Sequence, residues 1–300
     1  MIERALPPRV VVVSRASERD ELLLRHGTLQ QARFFLDSHG QRIDDVLERH
    51  ELMHAALNRV AAAVPGKWRR ARLLRHELDR FLFAPDDVVI AVGQDGLVAN
   101  VAKYLRGQPV IGVNPSQALF AGVLVRHPPE ATGDLLAMFA RGALRCEQRT
   151  MVQARLGDGQ TLTALNEIFV GHRTHQSARY HLAFGARGER QSSSGLIVVT
   201  GTGASGWARS IAQRRTPAPP LPGPLDAELA FFVREAWASV TTGAALVDGR
   251  IARGQRLLVT SEMNDGGTVF GDGIEADRLE LGFGQTVELE RAEQWMQLAA

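Results

Sequence analysis

The sequence is poor in several residue types whose chemistry defines familiar kinds of site. Its 300 residues include one cysteine, Cys146, and only two lysines, Lys67 and Lys103. A single cysteine excludes a disulfide framework and a zinc site built from cysteines, and it is typical of a reducing cytoplasm. Neither lysine completes the Gly-Lys-Ser/Thr ending of a Walker phosphate loop, because Lys67 precedes Trp68 and Lys103 precedes Tyr104.

Long apolar runs and an excess of one charge are also missing. No run approaches the ~18 apolar residues of a membrane-spanning helix. A short apolar stretch that ends at Val13 is soon followed by Arg15 and Glu18, which does not predict a signal peptide. The 35 basic and 33 acidic residues give a formal net charge of +2. We therefore expect a cytoplasmic protein with no nucleic-acid or membrane partner.

The first half of the chain alternates strand-like and helix-like patterns. Apolar β-branched runs predict strands at residues 9–13, 71–75, 87–92 and 109–113. Helical periodicity between them predicts helices at residues 17–38, 41–63 and 97–105. Strands separated by helices indicate βαβ units and a parallel sheet. We therefore predict an α/β domain over residues 1–144.

The rest of the chain has a different pattern. Short strands between glycine-rich turns predict a β-rich domain over residues 145–300, whose C-terminal end could pack back on the first domain. One of these strands is expected at residues 161–170, and one helix is expected at residues 203–213. A proline-rich segment at residues 216–224 is expected to be a surface loop.

The loop Gly93-Gln94-Asp95-Gly96 follows a predicted strand and precedes a predicted helix. Ligands bind at such carboxyl ends of strands in open α/β sheets, and glycines let the backbone approach phosphate oxygens. The charge of Asp95 would repel phosphate, so its carboxylate is better suited to act as a base for a hydroxyl or as a metal ligand. The alternative is a tight turn in which Asp95 caps the helix.

Two further features could bind a nucleotide. Residues 200–206, Thr-Gly-Thr-Gly-Ala-Ser-Gly, form a second turn from strand to helix, which could be a cradle for phosphates or ribose, or simply a flexible turn. The polar pair Asn166-Glu167 lies within an apolar strand pattern. Because neighbouring strand residues face opposite sides, one of the two either points inward with a partner or lies on an exposed edge strand.

His50 and His54 match the His-Glu-x-x-His pattern of zinc peptidases on a predicted helix. Apolar residues mark the same helix as core-facing, and no third ligand motif follows. We interpret this match as coincidence and predict no metal-ligating residues.

The order of these motifs resembles that of the NAD kinase family, and the resemblance spans most of the chain. It is closest to the mitochondrial-type branch, which has a similar Asn-Glu-Ile-Phe-Val-Gly at residues 166–171 and a similar Ser-Ser-Gly followed by Thr-Gly-Thr-Gly. The motifs are Gly-Gln-Asp-Gly at 93–96, Pro-Val-Ile-Gly-Val-Asn at 109–114, Asn-Glu at 166–167, Ser-Gly-Leu-Ile-Val-Val-Thr-Gly-Thr-Gly at 194–203, and a late Asp-Gly at 272–273.

The resemblance implies a nucleotide-binding α/β domain, a β-rich dinucleotide-binding domain, and phosphoryl transfer from ATP with Mg²⁺ to the adenosine ribose 2′-hydroxyl of NAD(H). It implies a homodimer or homotetramer. Asp95 matches the aspartate that orients and deprotonates the hydroxyl. The residues that match nucleotide-binding positions are Gly93, Gln94, Gly96, Asn114, Asn166, Glu167, Thr200, Gly201, Thr202, Gly203 and Ser205.

Two departures from the family pattern leave alternatives open. Gln94 replaces the second glycine of Gly-Gly-Asp-Gly, and Ser194 stands where many bacterial members have an aspartate. Gln94 could crowd the donor phosphate or hydrogen-bond to it. The alternatives are a related lipid or sugar kinase and a regulatory protein that binds NAD(H) without efficient catalysis. The preference for NAD over NADH and the choice between ATP and polyphosphate are likewise open.

Overall fold

The computed structural model describes residues 7–119 and 122–300. The chain divides into two compact units. The first unit comprises Met1–Glu147 and Gln297–Ala300, and the second comprises Gln148–Met296. Within the described residues, no helix is both long enough and apolar enough to cross a bilayer.

The first unit is built on parallel strands. The strands are β1 (Arg9–Ser14), β2 (Arg69–Leu74), β3 (Asp87–Val92) and β4 (Pro109–Val113). They lie in the order β2-β1-β3-β4, and residues 297 and 298 add a short parallel pairing beside β4. The valines and isoleucines of β1, β3 and β4 are almost fully buried, as expected for parallel strands covered on both faces.

Among the described residues, five α-helices accompany this sheet. They are α1 (Glu18–His26), α2 (Leu29–Ser38), α3 (Ile43–Ala63), α4 (Asp95–Ala102) and α5 (Thr132–Ala140). The single helix predicted over residues 17–38 is two helices, because Gly27 ends α1 with φ = 79° and Thr28 caps α2. Sequence analysis missed α5, whose Leu135 and Leu136 pack into the core of this unit.

The second unit consists mainly of antiparallel strands. The chain forms β5 (Cys146–Leu156), β6 (Thr161–Ala164), β7 (Glu167–His172), β8 (Ala178–Phe184), β9 (Arg187–Ser193), β10 (Leu196–Val199), α6 (Trp207–Ala212), β11 (Leu229–Val233), β12 (Asp248–Ile251), β13 (Leu257–Ser261), β14 (Gly267–Gly271), β15 (Ile274–Glu280) and β16 (Thr286–Ala299). One antiparallel sheet has the order β12-β11-β10-β7-β14-β15. A second series pairs β16, β13, β8 and β9.

The core of the second unit is formed by inward-facing residues from both series of strands. It includes Ile168 and Val198 from the six-stranded sheet and Tyr180, Val259 and Val287 from the other series. Alternating burial along β8 is the pattern of a sheet packed on one face. The predicted architecture, an α/β N-terminal part with a parallel sheet and a β-rich C-terminal part, is confirmed.

Candidate functional site

The Gly93–Gly96 loop lies at the carboxyl ends of two adjacent parallel strands of the first unit. The amide of Gly93, after β3, donates to the carbonyl of Val113 at the end of β4 (3.0 Å). Gln94 is the N-cap residue of α4, its side chain makes no capping bond, and Asp95 is the first residue of the helix. The alternative in which Asp95 caps the helix is therefore wrong.

The carboxylate of Asp95 holds a distant stretch of backbone instead. Its Oδ2 accepts a hydrogen bond from the amide of Val123 (3.0 Å), and its Oδ1 accepts from those of Leu124 (2.8 Å) and Val125 (2.9 Å). An ionised carboxylate offers about four lone-pair sites, so these three bonds leave one site on Oδ2 for another donor. Asp95 is thus rigidly placed and still able to accept one proton or hydrogen bond.

Strand β4 supports the same stretch from the other side. A Cβ atom at Gly112 would overlap the carbonyl oxygen of Leu124, so glycine is required there for the close approach. Asn114 follows β4 and is almost fully buried. Its backbone amide donates to the carbonyl of His127 (2.8 Å), and its side-chain Oδ1 accepts from the backbone amide of Ser116 (3.0 Å). The structure therefore brings together Asn114, Asp95 and the loop glycines.

In the second unit, Asn166 lies in a break between strands. The strand predicted over residues 161–170 is two strands, β6 and β7, separated by Leu165 and Asn166. The carbonyl of Asn166 accepts from the amide of Thr200 (2.9 Å), and the carbonyl of Leu165 accepts from Thr200 Oγ1 (2.6 Å). Glu167 begins β7 and lies opposite Val199 of β10. The break and the start of the Thr200–Gly206 turn are therefore adjacent.

The Thr200–Gly206 turn is held mainly by its own side chains and by close packing. Thr200 Oγ1 accepts from the amides of Thr202 (3.1 Å) and Gly203 (3.2 Å), so these two amides are already satisfied. A Cβ atom at Gly201 or Gly203 would overlap backbone of Gly223 or Asn166, respectively. The hydroxyl of Thr202 is buried without a partner among the described residues, so its hydrogen-bonding capacity is unused in this turn.

The turn then continues into helical structure in two pieces. A 3₁₀ turn spans Gly203–Ser205, and α6 begins at Trp207, so the predicted helix at residues 203–213 is interrupted at Gly206. Ser205 is exposed at the end of the 3₁₀ turn.

Asp272 belongs to the late Asp-Gly motif of the family resemblance, to which no role was assigned from the sequence. Its Oδ2 accepts from the amide of Leu165 (2.9 Å), and its Oδ1 accepts from those of Asn166 (2.7 Å) and Glu167 (3.4 Å). Asp272 itself has φ = 53°, a left-handed conformation that aspartate tolerates better than most residues. An Asp-Gly pair between two strands was the available signal, but it could not show which amides the carboxylate would hold.

Glu167 has an unusual electrostatic environment. Burial, followed by the negative charge of Asp272, raises the pKa of Glu167 to about 7. A carboxyl group with this pKa is about half protonated near neutral pH, so it can donate or accept a hydrogen bond. Perturbed carboxyl groups of this kind concentrate at functional sites, although structural clusters produce them as well.

A cavity of about 560 Å³ lies in the second unit, within the size range of small-ligand pockets. Trp207 lies parallel to Phe169, with ring centroids 6.0 Å apart, and the guanidinium of Arg234 lies 4.7 Å from the Trp207 ring centroid. The lining contains three arginines and two histidines but only one carboxylate, so it favours anions. Its lining residues are Phe169, His172, Arg173, Thr174, His175, Gln176, Ser194, Trp207, Arg234, Thr268, Phe270, Glu275 and Arg278.

Comparison with known proteins also points to NAD kinases. No protein-family model matches the chain. It is 35% identical over 133 residues to an NAD kinase of Methylococcus capsulatus, covering 41% of this chain and 44% of that protein. It is 28% identical over 260 residues to mitochondrial NAD kinase 2 of Rattus norvegicus, covering 68% of this chain and 60% of that protein. The chain thus matches less than two thirds of the length of these curated relatives.

Solved structures resemble the chain over nearly its whole length. An NAD kinase from Archaeoglobus fulgidus in complex with ATP has a TM-score of 0.59 at 18% identity. The match covers 97% of this chain and 93% of the Archaeoglobus chain. A yeast NADH kinase complexed with NADH has a TM-score of 0.60 at 13% identity. The match covers 99% of this chain and 84% of the yeast chain. The chain therefore has the fold of NAD(H) kinases. The resemblance to the NAD kinase family that the motifs predicted is confirmed by the sequence matches, and the structure matches show the shared fold.

Proposed function

We propose that the protein is an NAD kinase that transfers a phosphoryl group from ATP to the adenosine ribose 2′-hydroxyl of NAD(H), producing NADP(H). The observation that carries the proposal is the placement of Asp95. Asp95 follows β3, and its carboxylate is fixed by the backbone amides of residues 123–125, with one acceptor position left on Oδ2. A general base must be rigidly held and must retain a lone pair for the proton it removes.

In the proposed reaction, Asp95 accepts the proton of the 2′-hydroxyl as the ribose oxygen attacks the terminal phosphorus of ATP. The bond between that phosphorus and the bridging oxygen breaks, and ADP leaves with its electron pair. Gly93, Gln94, Gly96 and Asn114 would hold the phosphates near the first turn of α4. A helix N-terminus favours anions there through its unpaired amides and its dipole.

Mg²⁺ fits this proposal as a companion of ATP. Among residues 7–119 and 122–300, the only cluster of three metal-ligating groups contains two histidines, whereas Mg²⁺ prefers oxygen ligands. Asp95 supplies carboxylate oxygen but already accepts three hydrogen bonds. Mg²⁺ would therefore be held mainly by the phosphates, where it neutralises charge in the transfer.

The second unit would bind the dinucleotide. Asn166 and Glu167 would hold the adenosine side, with Glu167 able to donate a hydrogen bond in its protonated form. Thr200, Gly201, Thr202, Gly203 and Ser205 would line the adenine and ribose pocket, and the free Thr202 hydroxyl would bond to the ligand. Support comes from the hydrogen bonds that link this turn to the Asn166 break.

The test is NADP(H) formation by the purified protein with NAD or NADH, ATP and Mg²⁺, followed together with thermal stabilisation by each ligand. A kinase should form NADP(H) and be stabilised by both the dinucleotide and Mg-ATP. Stabilisation by the dinucleotide alone, without product, would instead favour a regulatory NAD(H)-binding protein. Turnover of a lipid or sugar acceptor with no turnover of NAD(H) would favour a different kinase class.

Gel filtration with light scattering would test the expected homodimer or homotetramer.

A further inference from the structure

Three metal-ligating side chains meet on the helices α1 and α3 of the first unit. One donor atom each from Asp20, His50 and His54 lies within 4.8 Å of the other two. His50 and His54 are four residues apart on α3, so both project from the same side of that helix, and their ring centroids are 4.2 Å apart. Asp20 comes from α1, which sequence analysis could not place beside them. Two imidazoles and one carboxylate form a common ligand set for divalent transition metals.

The hydrogen bonds of Ser17 fix which nitrogen of His50 carries its proton. Ser17 Oγ lies 2.8 Å from Asp20 Oδ2, and because a carboxylate can only accept, the single hydroxyl hydrogen points to Asp20. Ser17 Oγ also lies 2.7 Å from His50 Nδ1, so that nitrogen must be the donor in this contact. His50 therefore holds its proton on Nδ1 and presents a lone pair on Nε2. A hydrogen bond from the far ring nitrogen is the usual support of a metal-binding histidine.

A cation already contacts two of the three candidate ligand residues in the structure. Nη1 of Arg19 lies 3.4 Å from both His50 Nε2 and Asp20 Oδ1. Both distances are at the long limit of a hydrogen bond, so the guanidinium is weakly held between the two acceptors. The Arg19 side chain is about one third exposed (30%), which leaves it room to swing into solvent. A smaller divalent ion could replace it and bind the same two atoms directly.

The side chains can reach metal-binding geometry by small rotations. Zinc–nitrogen bonds of about 2.0–2.1 Å bring donor atoms to roughly 3–3.5 Å from one another. His54 is exposed, so it can turn toward a common centre without disturbing the core. Asp20 keeps Oδ2 on the amide and hydroxyl of Ser17 and offers Oδ1 to the metal. His50 lines a cavity of about 240 Å³ together with Ser17, Met53, Gly93 and Gln94. That cavity gives water or a ligand oxygen access to the remaining coordination positions.

We propose that Asp20, His50 and His54 form a binding site for one divalent transition metal ion of the Zn²⁺ or Co²⁺ type, with Arg19 occupying the site when the metal is absent. The proposed ligands are not among the residues proposed for phosphoryl transfer, although His50 shares a cavity with Gly93 and Gln94 of that loop, and metal binding does not depend on that reaction. Two histidines of one helix and a carboxylate from another element are also the ligand set of some zinc peptidases, but the proposal concerns metal binding and includes no peptidase activity.

The test measures Zn²⁺ binding to the metal-stripped full chain by calorimetry and by competition with a chromophoric chelator. One equivalent should bind to the wild-type protein. His54→Ala, at an exposed position that does not endanger folding, should weaken binding about a hundredfold or more, and His50→Ala should do the same. Co²⁺ should produce visible absorption bands that both variants lose. His76→Ala, which changes an exposed histidine elsewhere in this unit, is the matched control and should bind normally.

Arg19→Gln sharpens the proposal because it changes no ligand. Removing a positive charge next to the site should tighten Zn²⁺ binding about tenfold. No binding by the wild type, equal loss in His76→Ala, or unchanged affinity in His54→Ala would overturn the site and leave a structural polar cluster. Unchanged affinity in Arg19→Gln would contradict the competition between arginine and metal.

Discussion

Two aspartates, one in each unit, hold backbone in the same way. Oδ2 of Asp95 accepts from the amide of residue 123 and Oδ1 from those of residues 124 and 125. Oδ2 of Asp272 accepts from the amide of residue 165 and Oδ1 from those of residues 166 and 167. Capture of three successive amides is therefore a structural device that this chain uses twice, and the bonds alone do not identify a catalytic base.

The surroundings of the two carboxylates differ. The amides held by Asp95 belong to Val123, Leu124 and Val125, which carry no polar side chain. One amide held by Asp272 belongs to Glu167, whose carboxyl group is driven to a raised pKa by burial and by the charge of Asp272. Asp272 thus raises the pKa of a neighbouring acid, whereas Asp95 lies at the start of α4, where we propose that it acts on a substrate.

The largest effect should follow from Asp95→Asn. An asparagine keeps the volume and one acceptor oxygen but cannot take a proton, so we expect kcat for NADP formation to fall about 10²–10⁴-fold. Asp44→Asn, another carboxylate in the first turn of a helix, is exposed and is the matched control. The measurement is NADP formation alongside dinucleotide binding.

Folding must be measured in the same variant. In Asp95→Asn the new side-chain amide would place its own N–H against one of the backbone N–H groups, which should cost about 1–3 kcal/mol of stability. If kcat falls no further than the loss of folded protein explains, Asp95 is a structural residue like Asp272 and the proposed base is wrong.

Asp272→Asn should have a smaller effect and of a different kind. It loses one backbone hydrogen bond in the same way, so we expect the free energy of unfolding to drop by about 1–3 kcal/mol. We also expect KM for the dinucleotide to rise, since the backbone of the Leu165–Asn166 break loses part of its support, while kcat changes little. Chemical denaturation and steady-state kinetics measure the two effects. A kcat loss as large as that of Asp95→Asn would erase the distinction between the two aspartates.

Glu167 makes stability depend on pH in a defined direction. Its pKa is raised from 4.5 to about 7 in the folded protein, so the native state binds the proton more tightly than the unfolded state does. Stability is therefore greatest below the unfolded pKa and falls as the pH rises from about 4.5 through 7. For a partly exposed group we expect a loss of ~1–3 kcal/mol across this window.

The control for this effect is Glu167→Gln, which cannot titrate. Denaturation at pH 5 and pH 8 should show a smaller decline in the variant than in the wild type. In Asp272→Asn the pKa of Glu167 should move down because one source of repulsion is removed. An identical decline in wild type and Glu167→Gln would mean that Glu167 does not carry the pH dependence.

The sequence was sufficient for much of the fold and for part of the site. The apolar β-branched runs predicted β1, β3 and β4 because a parallel sheet buries both faces of its strands. It could not predict the breaks at Gly27 and Asn166, because a left-handed turn at Gly27 and the close approach of Gly203 to the Asn166 backbone override the local periodicity. At Gly206 the backbone leaves helical angles (φ = −96°, ψ = −118°), which the periodicity does not show either. The contact between Asp95 and residues 123–125 and the meeting of Asp20 with His50 depend on tertiary packing, which spacing along the chain does not show.

The smallest expected effect concerns Gln94, which distinguishes the first loop from Gly-Gly-Asp-Gly. Its side chain is exposed and makes no capping bond, so Gln94→Gly should change stability by only a few tenths of a kcal/mol. Because its amide is free to donate to a phosphate oxygen, we expect KM for ATP to rise about two- to tenfold, the usual value of one hydrogen bond. The measurement is steady-state kinetics with varied ATP at saturating NAD. A fall in KM for ATP would show that the Gln94 side chain crowds the phosphate instead and hinders ATP binding next to Asp95.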